Sequence, residues 1–258
     1  MNGTDYEPQT YGERIAGVYD EITGADENIH GGTWAQETDA GVEFLAALAE
    51  GGPVLELGIG TGRVAIPLAR RGLEVHGIDI SEKMLRRLYE KVPDLAITTS
   101  CGDFAKVEAS RSNFSLVFCV YSTFFALLDQ DAQVDCFRNV AGRLRPGGRF
   151  VIETLVPAPQ QFNDAGQIVD ILDKLTADEV KLRATRHDPV RQRLYEQHIE
   201  LRDGDVRLYP VQLRYAWPAE LDLMGQLAGL RLEHRYGGWR REPFGAGSYR
   251  HVSVFARS

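Results

Sequence analysis

Two acids and three glycines mark the stretch of this sequence best equipped for ligand chemistry. An apolar run, Val54-Leu55-Glu56-Leu57, enters a turn that carries Gly58, Gly60 and Gly62 and leads into Arg63. A second apolar run, Leu73 to Ile78, ends at Asp79. Glycines at such a turn admit backbone conformations closed to other residues and let a ligand approach the main chain. An acid at the end of the next strand offers two acceptor oxygens, the complement of a vicinal diol. Together this is the layout of a nucleotide-cofactor site at the carboxyl edge of a parallel sheet. No Ser/His/Asp set and no pair of closely spaced carboxylates is evident, so hydrolase chemistry has no support. The histidines and the cysteines Cys101, Cys119 and Cys136 lack zinc-ligand spacing, so no metal is expected.

The elements that must position these residues alternate. Residues 53–57 read as a first strand, and 61–71 as a helix closed by Gly72, with Pro67 early in it. Residues 74–78 read as a second strand. Ser81 is placed to cap a helix through Met84, Leu85 and Leu88. Residues 95–99 form a third strand and 114–120 a fourth, continuously apolar as a strand covered on both faces should be. A helix over 131–144 ends at Pro146-Gly147-Gly148, and 149–155 is a fifth strand. Before this core, Tyr11, Ile15, Val18 and Tyr19 have helical spacing, 23–32 is a polar loop, and a second helix follows Trp34. After it, 156–178 reads as an irregular or helical connection. Residues 179–216 alternate with period two and turn at Asp188-Pro189 and Asp203-Gly204, an antiparallel meander with one wet face. A helix over 218–229 and strands at 230–236 and 250–257 close the chain.

Bulk properties exclude several classes. The 258 residues are 43% hydrophobic, enough for one large α/β domain without disulfide staples. Cys119 and Cys136 lie in apolar runs and read as small core residues; the odd, scattered cysteines suit a reducing cytoplasm. A net charge of −8 disfavours phosphate backbones, so no nucleic acid partner is expected. No apolar run approaches 18 residues and no basic-then-apolar leader opens the chain, so neither a membrane span nor a signal peptide is expected, and the location expected is cytoplasmic.

The pattern resembles the class I S-adenosylmethionine-dependent methyltransferases. The residues that carry the likeness are Glu56-Leu57-Gly58-Ile59-Gly60-Thr61-Gly62, then Asp79 with Ile80 and Met84, then Gly102-Asp103-Phe104, then Leu144-Arg145-Pro146-Gly147-Gly148. The resemblance covers 53–156 and 230–257. It implies a Rossmann-like, seven-stranded, mostly parallel sheet with helices on both faces and an antiparallel last strand. The N-terminal helix and the strand insertion after the fifth strand are similar to small-molecule N-methyltransferases of the glycine and amino-sugar type. The parts are then 1–52 as a helical lid, 53–156 as the S-adenosylmethionine core, 157–217 as an antiparallel substrate cap, and 218–258 as the closing helix and last two strands.

The resemblance also assigns roles. Glu56 and Gly58, Gly60 and Gly62 lie at the methionine end of the cofactor, Asp79 at the ribose, and Ile80 and Met84 on the adenine. Asp103 takes the adenine amino group, with Gly102 and Phe104 flanking the ring. Val120 and Tyr121 face the sulfonium and the acceptor. Tyr11, Tyr19 and Trp34 close over the site, Tyr19 and Tyr121 being catalytic candidates; His198 is the nearest base if the acceptor needs one. His198, Gln212 and Arg214 are candidates for the inner face of the meander. Trp239, Arg240, Arg241 and Tyr249 lie around the last loop. The expected reaction moves a methyl group to a nitrogen, or an oxygen, of a small molecule in specialised metabolism such as antibiotic biosynthesis, by a monomer or homodimer. An NAD-dependent oxidoreductase shares the glycine turn and Asp79, but Glu56 would face a pyrophosphate unfavourably. A non-catalytic S-adenosylmethionine-binding protein is the other alternative.

Overall fold

The computed structural model of the protein describes residues 6–20, 34–92, 94, 96–172 and 176–257, with the backbone alone at 34–36. The strands of the core are β1 (Val54–Leu57), β2 (Val75–Asp79), β3 (Ile97–Cys101), β4 (Phe114–Cys119) and β5 (Leu144–Leu155). β10 (Leu230–Tyr236) and β11 (Arg250–Arg257) join them in one sheet of order β10-β11-β5-β4-β1-β2-β3. β11 runs antiparallel to both β5 and β10, and the pairs among β1 to β5 are parallel. This is the Rossmann-like sheet expected. Every residue of β1 and β4 is buried, as strands covered on both faces require.

Helices cover the two faces. On one side α5 (Gln130–Arg143) and α6 (Pro218–Leu227) pack Phe137, Leu221 and Met224 against Leu55, Val117 and Phe150. Phe137 meets Phe124, Phe150 and Phe255 edge-on, with ring centroids 5.2–5.5 Å apart. On the other side α2 (Trp34–Ala49), α3 (Ala65–Arg70) and α4 (Glu82–Lys91) pack Leu45, Leu68 and Leu88 against Val54, Leu116 and Val151. α1 (Thr10–Ile15) lies across the start of α4. A Cβ on Gly12 would come within 2.7 Å of the Ser81 Cβ, so α1 approaches that closely only because residue 12 is glycine.

A second sheet, β6 (Gln167–Ile171), β7 (Glu179–Asp188), β8 (Arg193–Arg202) and β9 (Asp205–Arg214), is inserted between β5 and α6 in antiparallel order. The three-strand meander matches the period-two reading. β6 corrects it: 167–171 pairs with β7 as an edge strand where an irregular or helical connection was expected. Its five residues alternate exposed and half-buried, too short a run for a period to declare itself against flanking loops.

Two further corrections are local. The helix expected over 61–71 spans only Ala65–Arg70, because Gly62 at φ +84° cannot belong to a right-handed turn. The third strand is Ile97–Cys101 rather than 95–99, registered by Val75 against Ile97. The polar loop expected over 23–32 and the residue Leu95 lie outside the described residues. No helix among the described residues is long and apolar enough to cross a membrane.

Candidate active site at the carboxyl edge of the sheet

The centre of the site is the edge where β1 and β2 end. Asp79, the last residue of β2, accepts the Gly60 N–H on Oδ2 at 2.8 Å and the Ser81 N–H on Oδ1 at 2.9 Å. The acid therefore fixes both the glycine turn and the entry to α4. Burial pushes its carboxyl above the usual range, against the pull of those two N–H groups. Ser81 caps α4 as expected: its Oγ accepts the Met84 N–H at 3.3 Å and donates to Glu13 of α1 at 2.8 Å.

The three glycines divide their work. A Cβ on Gly58 would lie 2.4 Å from the Thr123 methyl, and one on Gly62 would lie 2.3 Å from Leu88 Cδ1. Those two are required by protein packing, Gly58 against Thr123 and Gly62 against Leu88 of α4. A Cβ on Gly60 would meet nothing within 4 Å among the described residues. At φ +54° Gly60 thus keeps clear the space directly above the turn.

Glu56 is 3% exposed and its Oε2 has no hydrogen-bond partner among the described residues. Burial holds its carboxyl well above the ordinary value; Arg63 and the Ala65 N–H pull it down and Asp79 pushes it further up. Arg63 lies with its guanidinium carbon 3.3 Å from the centroid of the Tyr121 ring, a cation–π stack. The Tyr121 N–H donates to Oε2 of buried Glu153 at 2.5 Å, and its hydroxyl shares a hydrogen bond with Thr38 Oγ1 at 2.8 Å. Burial raises Glu153 as well, against that N–H, Arg250 and Arg63. Arg250 in turn donates two guanidinium N–H groups to Glu37. Tyr121 and Ser122 both have positive φ, 56° and 58°. Two adjacent non-glycine residues held this way cost about 1–3 kcal/mol each and occur where surroundings over-determine them, typically at active sites.

The N-terminal segment reaches this edge. Tyr11 and Tyr19 pack on a buried cluster of Ile15, Ala16, Met84 and Tyr209. Burial pushes the Tyr11 phenol far up, with Tyr19, Tyr6 and Glu196 adding and Arg63 opposing. Thr61, inside the glycine turn, donates to Asp20 Oδ1 at 2.6 Å. Tyr11, Glu56, Arg63, Asp79 and Tyr121 are thereby one electrostatic neighbourhood.

Other expected residues are placed less centrally. Ile80 is half-buried beside Asp79, and Val120 is buried where β4 ends. The Gly102 N–H donates to the Asp79 carbonyl at 3.0 Å, which ties the turn after β3 to the site. Asp103 accepts the Ala105 N–H at 2.8 Å within its own turn, and Phe104 is buried in the core beside Cys136 and Phe137. His198, on β8, is 3.3 Å from Glu196 Oε2 and is paired across the sheet with Tyr209. Gln212 and Arg214 have the opposite parity from Tyr209 on β9. Arg214 is an anchor at the base of the insertion, bonded to Gln133 and, at 2.7 Å, to Glu220. Trp34 opens α2, but its side chain lies outside the described residues. Trp239, in the loop after β10, packs on Phe44 of α2, and Tyr249 is exposed.

Arg63, Glu153 and the Glu37–Arg250 pair had no assigned role in the sequence. Arg63 carried one signal, its place directly after the third glycine. Glu153 was an acid at the end of an apolar strand, the same signal that singled out Glu56. The geometry fits S-adenosylmethionine on two counts: an unpartnered buried carboxylate oxygen for a cationic group, and a clear space over Gly60. Among the described residues no group of three or more His, Cys, Asp or Glu is placed to hold a metal.

This sheet order, with a glycine turn after β1 and a carboxylate closing β2, defines a nucleotide-cofactor enzyme of the methyltransferase type. Residues 54–148 match the family described as "Methyltransferase domain". The chain is 43% identical to the CcbJ methyltransferase from Streptomyces caelestis, whose structure it matches with a TM-score of 0.89 over 98% of this chain and 100% of that one. It is 28% identical over 208 residues to the cypemycin N-terminal methyltransferase of a Streptomyces species, covering 81% of this chain and 84% of the relative. The S-adenosylmethionine-bound CalS10, an amino pentose methyltransferase from Micromonospora echinaspora, shares the fold at 19% identity and a TM-score of 0.68, over 92% and 97% of the two chains. The chain belongs to the class I S-adenosylmethionine-dependent methyltransferases. That membership sets the oxidoreductase alternative aside.

Proposed function

We propose that this enzyme methylates a nitrogen of a small molecule in a biosynthetic route to a specialised metabolite. The observation that carries the cofactor half of this reading is the buried, unpartnered Oε2 of Glu56 beside Arg63. The nitrogen preference draws on the cypemycin relative and on Glu196 of the inserted sheet, an acid paired with a histidine rather than with an arginine or lysine.

Bound at the carboxyl edge, S-adenosylmethionine supplies a methyl group on a sulfonium, already an activated leaving group. Asp79 accepts the ribose hydroxyls; Glu56 and Arg63 receive the ammonium and carboxylate of the methionine end. Ile80 and Met84 bound the adenine, with Asp103 at its amino group and Gly102 and Phe104 behind it. Val120 and Tyr121 form the floor beneath the reacting atoms. Tyr11 and Tyr19 exclude water from above.

The chain's contribution to the reaction is chiefly positioning. Holding nucleophile and methyl carbon about 3–3.5 Å apart and in line supplies roughly 7–11 kcal/mol of the barrier. The acceptor nitrogen needs a free lone pair to take the methyl group that the cofactor would supply, so His198 or solvent takes the proton of an amine that arrives as an ammonium before the new bond to carbon forms and the carbon–sulfur pair stays on sulfur. Excluding water favours a step in which charge is spread or neutralised. In this reading 1–52 closes the site, 53–156 holds the cofactor, 157–217 caps the acceptor and 218–258 completes the sheet.

The test is turnover of S-adenosylmethionine against paired amine and alcohol acceptors of matched skeleton, followed by S-adenosylhomocysteine release. Transfer to amines alone is expected. Transfer to the alcohols instead would contradict the nitrogen assignment.

A further inference from the structure

The inner face of the insertion carries a polar cluster that the cofactor residues do not use. Residues paired across neighbouring strands share a face. Thr185 on β7 is paired with Glu196 on β8, and His198, two residues on, is paired with Tyr209 on β9. Tyr209 is buried against Ile15, Ala16 and Met84, which fixes this as the face turned toward the cofactor edge. The Glu196 carboxylate is also one of the charges that raise Tyr11, so it stands beside the N-terminal segment as well.

Charge pairing singles Glu196 out. Asp170 on this face is bonded to Arg183, Glu179 lies 3.5 Å from Lys181, and Glu200 lies 4.0 Å from Arg207. The Glu196 side chain is 9% exposed, and its hydrogen-bond partner among the described residues is a histidine. Directly across from it, Thr185 is 5% exposed and its Oγ1 has no hydrogen-bond partner among the described residues. A buried hydroxyl left unmatched is costly, and such groups in folded proteins call for a ligand or water. Ile168 and Val211, paired with Thr185 and Glu196 respectively, flank the two polar groups with apolar surface.

We propose that Thr185 and Glu196 form the acceptor's amine subsite, the carboxylate pairing with a protonated amine and the threonine hydroxyl accepting one of its N–H groups. Ile168 and Val211 receive the carbon skeleton next to the nitrogen. The subsite rests on the methyl-transfer reading above and gives it a specificity determinant: a neutral alcohol of the same shape gains no ion pair here.

Cyclohexylamine and cyclohexanol, one ring with and without the charge, test this directly. Each is titrated into the full chain with S-adenosylhomocysteine present, followed by saturation-transfer NMR. Saturable binding of the amine and not of the alcohol is expected. Glu196→Gln should weaken the amine about 10- to 100-fold, as loss of a charge-assisted contact does. Thr185→Val keeps the strand's shape and should weaken it severalfold. Equal amine affinity in the wild type and both variants, or no saturable amine binding by the wild type, overturns the subsite. Calorimetric titration of S-adenosylhomocysteine alone separates the two failures. Retained affinity with unchanged amine binding defeats the subsite only, whereas a wild-type chain that binds the amine but not S-adenosylhomocysteine defeats the cofactor assignment.

Discussion

The carboxyl edge of the seven-stranded sheet and the inner face of the inserted sheet both present acids, but hold them differently. At the edge, Glu56, Asp79 and Glu153 are raised by burial and restrained mainly by backbone N–H groups and by Arg63. On the insertion, Asp170, Glu179 and Glu200 are matched to arginine or lysine side chains on the same or the adjoining strand. Backbone donors belong to the fold and do not change with side chains. Side-chain partners can be exchanged singly. The contrast suits a constant cofactor on one side and a variable acceptor on the other.

The sharpest way to break this contrast is to remove one cation from each region. Arg63→Met leaves Glu56 and Glu153 buried without their shared cation and is expected to cost about 3–5 kcal/mol. Arg183→Met removes the partner of Asp170 in a pair whose side chains are 28% and 27% exposed, and solvent screening limits its cost to about 1 kcal/mol. Urea unfolding of both variants measures the difference; equal losses would erase the distinction.

Glycines give the next comparison. Gly62→Ala combines a left-handed backbone, about 1–2 kcal/mol, with a clash on Leu88, about 1–3 kcal/mol more. Gly204, in the β8–β9 turn at φ +86°, faces open space, so Gly204→Ala should show the backbone part alone. Asp79→Ala comes next. Losing its contacts, worth about 1.5–3 kcal/mol, should weaken S-adenosylhomocysteine 10- to 100-fold by calorimetry. Glu196→Gln should leave that affinity unchanged.

Acid sensitivity should also arise in the large sheet. His251 on β11 is fully buried between Thr154 and Ser253, and burial with Arg235 nearby lowers it from 6.5 to about 3. Between those values the unfolded chain binds the proton and the folded chain does not. The stability His251 contributes is therefore full above pH 6.5 and lost as pH falls toward 3, with a slope of up to about 1.4 kcal/mol per unit. The raised carboxyls of Glu56, Asp79 and Glu153 act in the opposite sense, favouring the fold below their unfolded values and losing that contribution as pH rises. His251→Gln should flatten the acid limb of a stability–pH curve; an unchanged limb would assign the sensitivity elsewhere. The smallest effect is expected from Tyr19→Phe: about 0.5 kcal/mol or less in stability, with a fall in turnover. Unaltered kinetics would remove Tyr19 from the site.

The same contrast explains what could be read before the structure. Glu56, the glycines and Asp79 are set by a strand end and a turn, signals that lie within a few residues of each other. The cap at Ser81 and the meander turns are equally local, and both were read correctly. Arg63 stayed unassigned because its partners are distant in sequence, Tyr121 in the turn after β4 and Glu153 on β5. The inner face of the insertion was undecided because alternation gives two faces without saying which meets the core. Tyr209 packed on α1 decides it, and with that Gln212 and Arg214 fall on the other side. β6 was missed because an edge strand of five residues has pairing on one side only.

The most direct test of the divided site is a crystal structure of the full chain with S-adenosylhomocysteine. The expected complex has the ribose hydroxyls on Asp79, the methionine end between Glu56 and Arg63, and the sulfur open toward Tyr11, Tyr19 and the Glu196 face of β8. A ribose bound away from Asp79, or a sulfur turned from the inserted sheet, would contradict it.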